Sequence, residues 1–366
     1  MASEKPWVVI KYGGTSVSSV GTWETILARV EALLPTNRVW IVVSAVSKVR
    51  RPACPPLAPA PTTPPAAHQS HPFFFSPLSP FSPARQVTNA LLACLDEATR
   101  PGLSEEGRWA SFGWVSRTHA ALGAAMGLPP AAYAPTAAGL EDLRRLLEGI
   151  FLTGETSPRL RARVAAMGEL LCSQLGLAFL RARASCAVTR VDARALLTSH
   201  VPEGATVADA DRYLEADVRP TSPQRDRADA AAGGAPCVIT QGFIANTSEG
   251  ATCLLGRGGS DTSAALFAAL VGAARLEIWT DVNGMFTADP RFVARARLIR
   301  ALTYREAQEL AACGARVLHP RCLLPAAFCG VPVQVRNTMD AGDDAEITTV
   351  SNGAAAAAAA DRKSVV

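Results

Sequence analysis

The sequence predicts an α/β fold in which a largely parallel sheet is covered by helices on both faces. Short, fully apolar strand patterns alternate with longer helical patterns along most of the chain, which is typical of parallel sheets. The 366 residues are 49% apolar and 19% charged, so the chain can bury a large core and is not globally disordered. The net charge of +4 is too small to favour a nucleic-acid or membrane-surface partner.

The individual elements follow from hydrophobic periodicity and turn signals. Short apolar runs predict buried strands at residues 7–11, 39–43, 188–192, 238–243, 276–280 and 331–335. Helical spacing predicts helices at residues 18–34, 87–97, 140–151, 159–182, 262–272 and 303–313. No internal repeat interrupts this alternation.

The cysteines and the chain start bear on the compartment. Nine scattered cysteines, an odd number without a CxxC pair, favour neither a disulfide framework nor a zinc site. The longest apolar stretch, around Ala264–Ala274, is too short to span a bilayer. A strand begins by Trp7 with no signal or transit peptide before it. We therefore expect a reduced cytoplasmic protein without nucleic-acid or membrane partners.

One segment departs from the rest of the chain. Arg50–Gln86 holds eleven of the 26 prolines and no Asp or Glu, so it cannot form a helix or a central strand. A proline-rich linker or an SH3-type ligand is one interpretation. We favour a retained intron over Val49–Gln86, because a valine codon can begin with GT and a glutamine codon can end in AG. The phenylalanine- and serine-rich run just before Gln86 also back-translates into a pyrimidine-rich tract.

The tail is the second unusual segment. Residues 351–366 include seven consecutive alanines followed by DRKSVV, which can be back-translated to a sequencing adapter. We exclude this tail from fold reasoning. The expected organisation is one catalytic domain over residues 6–350, interrupted by the proline-rich insert at residues 49–86.

A glycine turn follows the first predicted strand. Lys11 ends that strand, and Gly13 and Gly14 come before a predicted helix. Glycines let the backbone approach a phosphate, a helix start presents free N–H groups, and lysine adds a compact positive charge. The pattern matches neither GxGxxG nor a P-loop, and an ordinary strand-to-helix turn is the alternative.

Two further motifs carry charge beside glycine or at a strand end. Arg257 precedes Gly258-Gly259 and can bind an anion bidentately, while Ser260 or Asp261 can cap the following helix. The segment Trp279–Arg291 begins at the carboxyl end of a predicted strand, where open α/β sheets bind ligands. A cap-and-turn and a long hydrophilic loop are the alternatives.

Together these blocks resemble the aspartate kinase family. The resemblance rests on KYGGTS, VVSAVSK, VTN, MGELL, GFIAN, TCLLGRGGSDTSAAL, EIWTDVNGMFTADPR, GARVLHPR and VPVQVRNT, in the family's order. It implies a three-layer α/β/α sandwich with a mostly parallel central sheet, the amino-acid kinase fold. It also implies transfer of the ATP γ-phosphoryl group, with Mg²⁺, to the side-chain carboxylate of L-aspartate. The product, 4-phospho-L-aspartate, opens the route to lysine, threonine, methionine and isoleucine.

The resemblance also assigns roles to individual residues. Lys11 would bridge the transferring phosphoryl group, and Asp261 would orient Lys11 or the substrate. The residues expected to bind aspartate are Ser44, Thr88, Glu169, Arg257 and Ser260, with Glu169 on the ammonium and Arg257 on the α-carboxylate. The residues expected to bind ATP are Lys11, Gly13, Gly14, Thr280, Asp281, Phe286, Arg291 and Arg316. No carboxylate cluster indicates a protein metal site, so Mg²⁺ would bind through the phosphates. His319 is expected to be structural.

Several departures from the family pattern affect the expected activity. Phe286 replaces a usual Tyr, Arg316 replaces a usual Lys, and Lys48 replaces a Gly in the substrate loop. The insert separates Ser44 from Thr88 in that loop. We therefore expect the chain to bind ATP but to be poorly active, and a non-catalytic isoform is the alternative to an active kinase. The chain ends where the family's regulatory ACT domains usually begin, a homodimer is expected, and a plastid location applies if the source is photosynthetic and the start incomplete.

Overall fold

The computed structural model describes residues 5–47, 86–201, 207–219, 224–290, 292–312, 317–340, 342 and 346–353. The predictions for Lys48, Arg291 and Arg316 fall outside the described residues. The same is true of the proline-rich insert apart from Gln86, and of residues 354–366.

The strands of the central sheet are β1 (Trp7–Tyr12), β2 (Arg38–Val43), β3 (Val188–Val191), β4 (Cys237–Gln241), β7 (Arg275–Thr280), β8 (Ala301–Leu302), β9 (Val333–Asn337) and β10 (Thr348–Val350). Their order is β3-β4-β2-β1-β7-β9-β10-β8, and each neighbouring pair is parallel except the antiparallel pair of β9 and β10. Strands β5 (Ile244–Asn246) and β6 (Thr252–Leu254) form a separate antiparallel hairpin.

The helices are α1 (Val20–Leu33), α2 (Val87–Thr99), α3 (Glu105–Arg108), α4 (Ala110–Ala125), α5 (Pro130–Thr153), α6 (Pro158–Arg183), α7 (Ala193–Leu196), α8 (Asp209–Leu214), α9 (Arg225–Ala232), α10 (Gly259–Val271), α11 (Tyr304–Ala312) and α12 (Pro320–Cys329). Helices α1, α2, α4, α5 and α6 share one hydrophobic cluster with the sheet, and α10 and α12 belong to a second cluster. The sheet therefore lies between two helical layers, and the predicted three-layer sandwich is confirmed.

The central strands form because most of their buried residues are apolar. All six residues of β1 and all six of β2 are buried, as expected for parallel strands covered on both faces. Helix α1 starts where Ser19 and Thr22 form a reciprocal capping box. The predicted strands and helices match observed elements within a few residues, except that α5 begins at Pro130, ten residues before the predicted start at residue 140. The β5–β6 hairpin, strands β8 and β10, and helices α3, α4, α7, α8, α9 and α12 were not predicted.

The start of α10 differs from the prediction. The helix begins at Gly259, three residues before the predicted start, and its N-cap residue is Gly258 in a left-handed conformation at φ 69°. Ser260 and Asp261 therefore lie inside the first helical turn, and the prediction that either caps the helix is wrong. An acidic side chain in that first turn remains favourable because the helix dipole is positive there.

Helix α6 is the principal core helix. Among the described residues it alone is long and apolar enough to cross a membrane, and it exceeds the Ala264–Ala274 stretch singled out in the sequence. Yet 67% of its most apolar window is buried inside the fold. Its apolar character is thus accounted for by packing against the sheet and the neighbouring helices.

The carboxyl ends of four strands meet at one edge of the sheet. Tyr12 of β1 pairs with Val43 of β2 and with Trp279 of β7, and Val43 pairs with Gln241 of β4. The residues that follow these strands therefore cluster, which brings the three motifs of the sequence into one region.

The described residues on either side of the proline-rich insert also meet at this edge. The Val87 N–H donates to the Val46 carbonyl at 3.0 Å, and the Ser47 N–H donates to the Gly14 carbonyl at 2.9 Å. The two flanks of the insert are therefore adjacent, next to the glycine turn.

Candidate active site

An ion pair occupies the carboxyl edge between β1 and α10. The Lys11 Nζ lies 2.5 Å from Asp261 Oδ1, and the two side chains are only 10% and 16% exposed. Lys11 is fixed by its strand, and Asp261 is fixed by the first turn of α10. The two predicted catalytic residues are thus in direct contact. A lysine whose side chain is already oriented can neutralise an anion without reorganising.

The glycine turn lies between Lys11 and the loop after β2. A Cβ atom at Gly14 would lie 2.3 Å from the Ala45 carbonyl oxygen, so only glycine fits there. A Cβ atom at Gly13 would lie 3.7 Å from the Lys11 Nζ. The Gly13 N–H donates to the Trp279 carbonyl at 3.3 Å, which is long for such a bond and ties the turn to β7.

A buried carboxylate lies on the other side of the same loop. Glu169 of α6 is 3% exposed, and its Oε1 accepts a hydrogen bond from the Ala45 N–H at 3.1 Å. Its Oε2 is buried, and no group among the described residues hydrogen-bonds it. Burial raises the pKa of Glu169 to about 8, against the lowering effect of the Ala45 hydrogen bond. An incoming cationic donor would satisfy Oε2 and favour the ionised form.

Glycine also allows this carboxylate to approach the loop. A Cβ atom at Gly168 would lie 2.7 Å from the Ala45 Cβ, so a larger residue would push α6 away from Ala45. Ser44 is half-buried, and its N–H donates to the Tyr12 carbonyl at 3.2 Å. Thr88 is half-buried in the first turn of α2, which the Val87 hydrogen bond holds against Val46. The Val46–Val87 hydrogen bond therefore keeps the loop that carries Ser44 next to the helix start that carries Thr88.

The glycine-rich start of α10 forms the opposite wall. A Cβ atom at Gly242 would lie 2.8 Å from the Ser260 Cβ, which places Ser260 against the end of β4. Arg257 is exposed in the loop just before the helix. His319 packs on Gly258, and its Nδ1 accepts from the Arg321 N–H at 3.3 Å, as the N-cap of α12. His319 thus caps α12, as expected for a structural histidine.

The predicted nucleotide residues divide into two groups. Thr280 ends β7 beside the glycine turn, and its carbonyl accepts hydrogen bonds from the Thr338 N–H at 2.9 Å and hydroxyl at 3.1 Å. Asp281 is exposed and accepts from the Thr280 hydroxyl at 3.3 Å. Phe286 is half-buried and forms an antiparallel bridge with Leu298, in the segment that leads from β7 to β8. Thr280 therefore lies at the same edge of the sheet as Lys11. Phe286 lies in the segment between β7 and β8.

One residue of this edge was not predicted. Phe243 has φ 67°, a positive value that no other non-glycine residue among those described adopts. Its N–H donates to the Ser263 hydroxyl at 2.8 Å, and a Cβ atom at Gly259 would lie 2.6 Å from its ring. Phe243 therefore fixes the end of β4 against α10. Its place directly after Gly242, at a strand end, was the available signal.

No group of three or more His, Cys, Asp or Glu side chains within the described part of the chain is placed to hold a metal ion. The charged groups of this edge are instead a lysine–aspartate pair, an exposed arginine and a buried glutamate. Such a set suits an anionic ligand that also carries an ammonium group.

Comparison with known proteins assigns the fold to a family. The sequence model of the amino acid kinase family matches residues 6–337. The chain therefore belongs to the amino acid kinase family, whose members are kinases, and the predicted fold class is confirmed.

Its similar relatives are aspartokinases. Lysine-sensitive aspartokinase 3 of Escherichia coli (strain K12) is 38% identical over 205 residues, 55% of this chain and 44% of that protein. Bifunctional aspartokinase/homoserine dehydrogenase 1, chloroplastic, of Zea mays is 36% identical over 200 residues, 55% of this chain and 21% of that protein. The chain spans less than half the length of these relatives.

A solved structure shows the same likeness. The crystal structure of E. coli aspartokinase III in complex with aspartate and ADP superposes with a TM-score of 0.70 at 28% identity. The match covers 94% of this chain and 64% of that one.

Proposed function

We propose that this chain is an aspartate kinase, which transfers the γ-phosphoryl group of ATP to the side-chain carboxylate of L-aspartate. The buried Glu169 is the observation that carries the proposal. Its free oxygen calls for a cationic donor, and the α-ammonium group of an amino acid is such a donor. The similarity to aspartokinases supports the same substrate and favours an active enzyme over a non-catalytic isoform.

The geometry supports a division of work among the site residues. The ammonium group of aspartate would donate to Glu169, and Arg257 would pair with its α-carboxylate. Ser44 and Thr88 would then direct the side-chain carboxylate toward ATP. This carboxylate is ionised at neutral pH and needs no general base. One of its oxygens forms a bond to the γ-phosphorus while the bond to the β-phosphate oxygen breaks and ADP leaves.

Lys11 supplies the positive charge on the path of the phosphoryl group. Its ammonium is held by Asp261 at 2.5 Å, so it is oriented before the substrates arrive. Lys11 would neutralise charge on the phosphoryl oxygens, and Mg²⁺ bound to ATP would add positive charge there. Thr280, Asp281, Phe286, Arg291 and Arg316 remain the residues predicted to contact the nucleotide.

The insert would act as an excursion from a single catalytic domain over residues 6–350. Support comes from the hydrogen bond that joins Val46 to Val87 across its two ends. Closing a loop of that length costs only about 2–3 kcal/mol, so the fold tolerates it. Deleting Val49–Gln86 should therefore leave a folded domain.

Aspartate-dependent ADP release tests the proposal. The chain as given and a variant lacking Val49–Gln86 are assayed side by side, each with a Glu169→Gln counterpart. We expect ADP release that requires aspartate and that falls sharply in the Glu169→Gln proteins. If only the shortened chain is active, the retained-intron hypothesis is supported, and if both are active the insert is a tolerated loop. Folded proteins that bind ATP without aspartate-dependent turnover would contradict the assignment.

The wider setting follows from the same assignment. We propose a cytoplasmic enzyme that forms 4-phospho-L-aspartate for lysine, threonine, methionine and isoleucine synthesis, and that works as a homodimer. Analytical ultracentrifugation tests the dimer, and localisation of a tagged full-length protein tests the compartment.

A further inference from the structure

Two cysteines lie together at the amino edge of the sheet, opposite the Lys11–Asp261 pair. Cys237 is the first residue of β4 and is fully buried. Cys186 lies in the turn between α6 and β3 and is half-buried. Both thiols are free.

The register of the sheet brings them near each other. Val188 of β3 is the parallel partner of Cys237, and Cys186 lies in the bend two residues before Val188. Cys186 packs against the hydrophobic cluster that contains Cys237 and Val188, and the two thiols are close enough to shift each other's pKa.

The turn that carries Cys186 is held in place. The Ser185 N–H donates to Glu31 Oε1 at 2.7 Å, and the Ser185 hydroxyl donates to Glu31 Oε2. These hydrogen bonds fix the turn that carries Cys186 to α1.

The two thiols differ in chemistry. Interaction with the Cys237 thiol lowers the pKa of Cys186, outweighing burial and the Glu31 charge, whereas interaction with Cys186 and burial raise the pKa of Cys237. The thiolate is the reactive form, so Cys186 attacks first and Cys237 completes the reaction.

We propose that Cys186 and Cys237 form a reversible disulfide on exposure to a low-molecular-weight disulfide such as oxidised glutathione. The Cys186 thiolate attacks one sulfur, a protein–glutathione mixed disulfide forms, and one glutathione thiolate leaves. Cys237 loses its proton and attacks the Cys186 sulfur, which releases the second glutathione. The two protein thiols are oxidised, and one glutathione disulfide is reduced to two glutathione thiols.

The disulfide would stabilise the fold without entering the active site. It links the α6–β3 turn to β4 and closes a loop of about 50 residues, which restricts the unfolded chain. The groups proposed for catalysis lie at the other ends of the strands. We expect Tm to rise by about 5 °C on oxidation, while aspartate-dependent ADP release stays within twofold of the reduced protein.

Peptide mapping of the full chain tests this directly. The native protein is incubated with oxidised glutathione, alkylated and digested with trypsin. Cys186 lies in the tryptic peptide Ala184–Arg190, and Cys237 lies in Ala228–Arg257 together with Cys253. We expect these two peptides to be linked through Cys237, and dithiothreitol to reverse both the link and the Tm rise.

Matched variants separate this pair from the other thiols. Cys186→Ser should abolish the link and the Tm rise, whereas Cys329→Ser, at another half-buried cysteine, should retain both. A stable glutathione adduct on Cys186, an unchanged thiol content, or an equal Tm rise in Cys186→Ser would each overturn the proposal. A link through Cys253 would do the same.

Discussion

Glu169 and Glu277 are both buried carboxylates, at 3% and 0% exposure, but the protein treats them in opposite ways. Burial raises the pKa of Glu169 to about 8. Burial would also raise the pKa of Glu277, but hydrogen bonds and charges from arginines hold it below its ordinary value. The number of partners supplied by the chain makes this difference.

Both oxygens of Glu277 have partners within the chain. Arg29 of α1 donates to them through Nε at 3.0 Å and Nη2 at 2.6 Å, and Arg275 adds a contact at 2.8 Å. The Trp279 indole N–H donates to Glu277 Oε2 at 3.1 Å, and Arg336 lies 3.9 Å away. Every oxygen of this carboxylate is occupied, which suits a structural ion cluster.

Apart from its own backbone N–H, Glu169 has a single described donor, the Ala45 N–H, which binds Oε1. A buried carboxylate left in this state costs stability in the free protein. The contrast indicates that a buried charge paired by the chain's own residues stabilises the fold. A buried charge that lacks a full set of partners within the chain is available to bind a ligand. The two glutamates should therefore fail in different assays.

The largest effect should come from Glu277→Gln. Removing the charge takes the carboxylate away from the buried Arg29 and the half-buried Arg275, which should lower the free energy of unfolding by about 4 kcal/mol. Urea denaturation followed by circular dichroism measures this. Glu141→Gln is the matched control, because Glu141 pairs with Arg144 on an exposed helix face and its loss should change little. An unchanged urea midpoint in Glu277→Gln would mean that the arginine cluster stabilises nothing.

Glu169→Gln should act on binding instead. The neutral amide cannot pair with an ammonium group, so KM for aspartate should rise by about 100-fold, or about 3 kcal/mol. Binding of ATP should stay near that of the unaltered protein, and the free energy of unfolding should match it near pH 4.5 and exceed it at neutral pH. If Glu169→Gln instead unfolds as readily as Glu277→Gln while KM holds, Glu169 is a structural residue.

A smaller effect is expected from pH. Since the pKa of Glu169 is about 8 in the fold and 4.5 ordinarily, the folded protein binds more protons than the unfolded chain between these values. The stability of the free protein should therefore fall as pH rises from 4.5 to 8. The slope from this group is at most about 1.4 kcal/mol per pH unit. Glu169→Gln should lack this component.

Aspartate binding should report the same proton. An ammonium partner ionises Glu169, so binding at pH 7 should release close to one proton, and affinity should increase up to pH 8. Calorimetry in two buffers of different ionisation enthalpy counts the protons. Equal heats in both buffers would show that Glu169 is already ionised before aspartate binds.

The sequence predicted the fold better than it predicted the charge network. The buried runs of β1, β2 and β7 were readable because parallel strands covered on both faces are largely apolar, and the family resemblance placed Lys11 with Asp261. The cluster around Glu277 was not predicted, since its main partner, Arg29, lies 248 residues away and neither residue forms a local pattern. The proximity of Cys186 to Cys237 escaped prediction for the same reason, because it depends on the β3–β4 register.

The smallest predicted effect concerns Phe286, where the family usually has tyrosine. The ring is half-buried, and its segment is held by the bridge to Leu298, so a hydroxyl can be added without repacking the core. If Phe286 lines the nucleotide pocket, Phe286→Tyr should restore one hydrogen bond and lower KM for ATP by about fivefold, or about 1 kcal/mol. KM for aspartate should not change, because the residues proposed to bind aspartate lie around Glu169. Steady-state kinetics with each substrate varied in turn separates the two constants. A change in KM for aspartate alone would place Phe286 on the wrong side of the site and remove it from the nucleotide pocket.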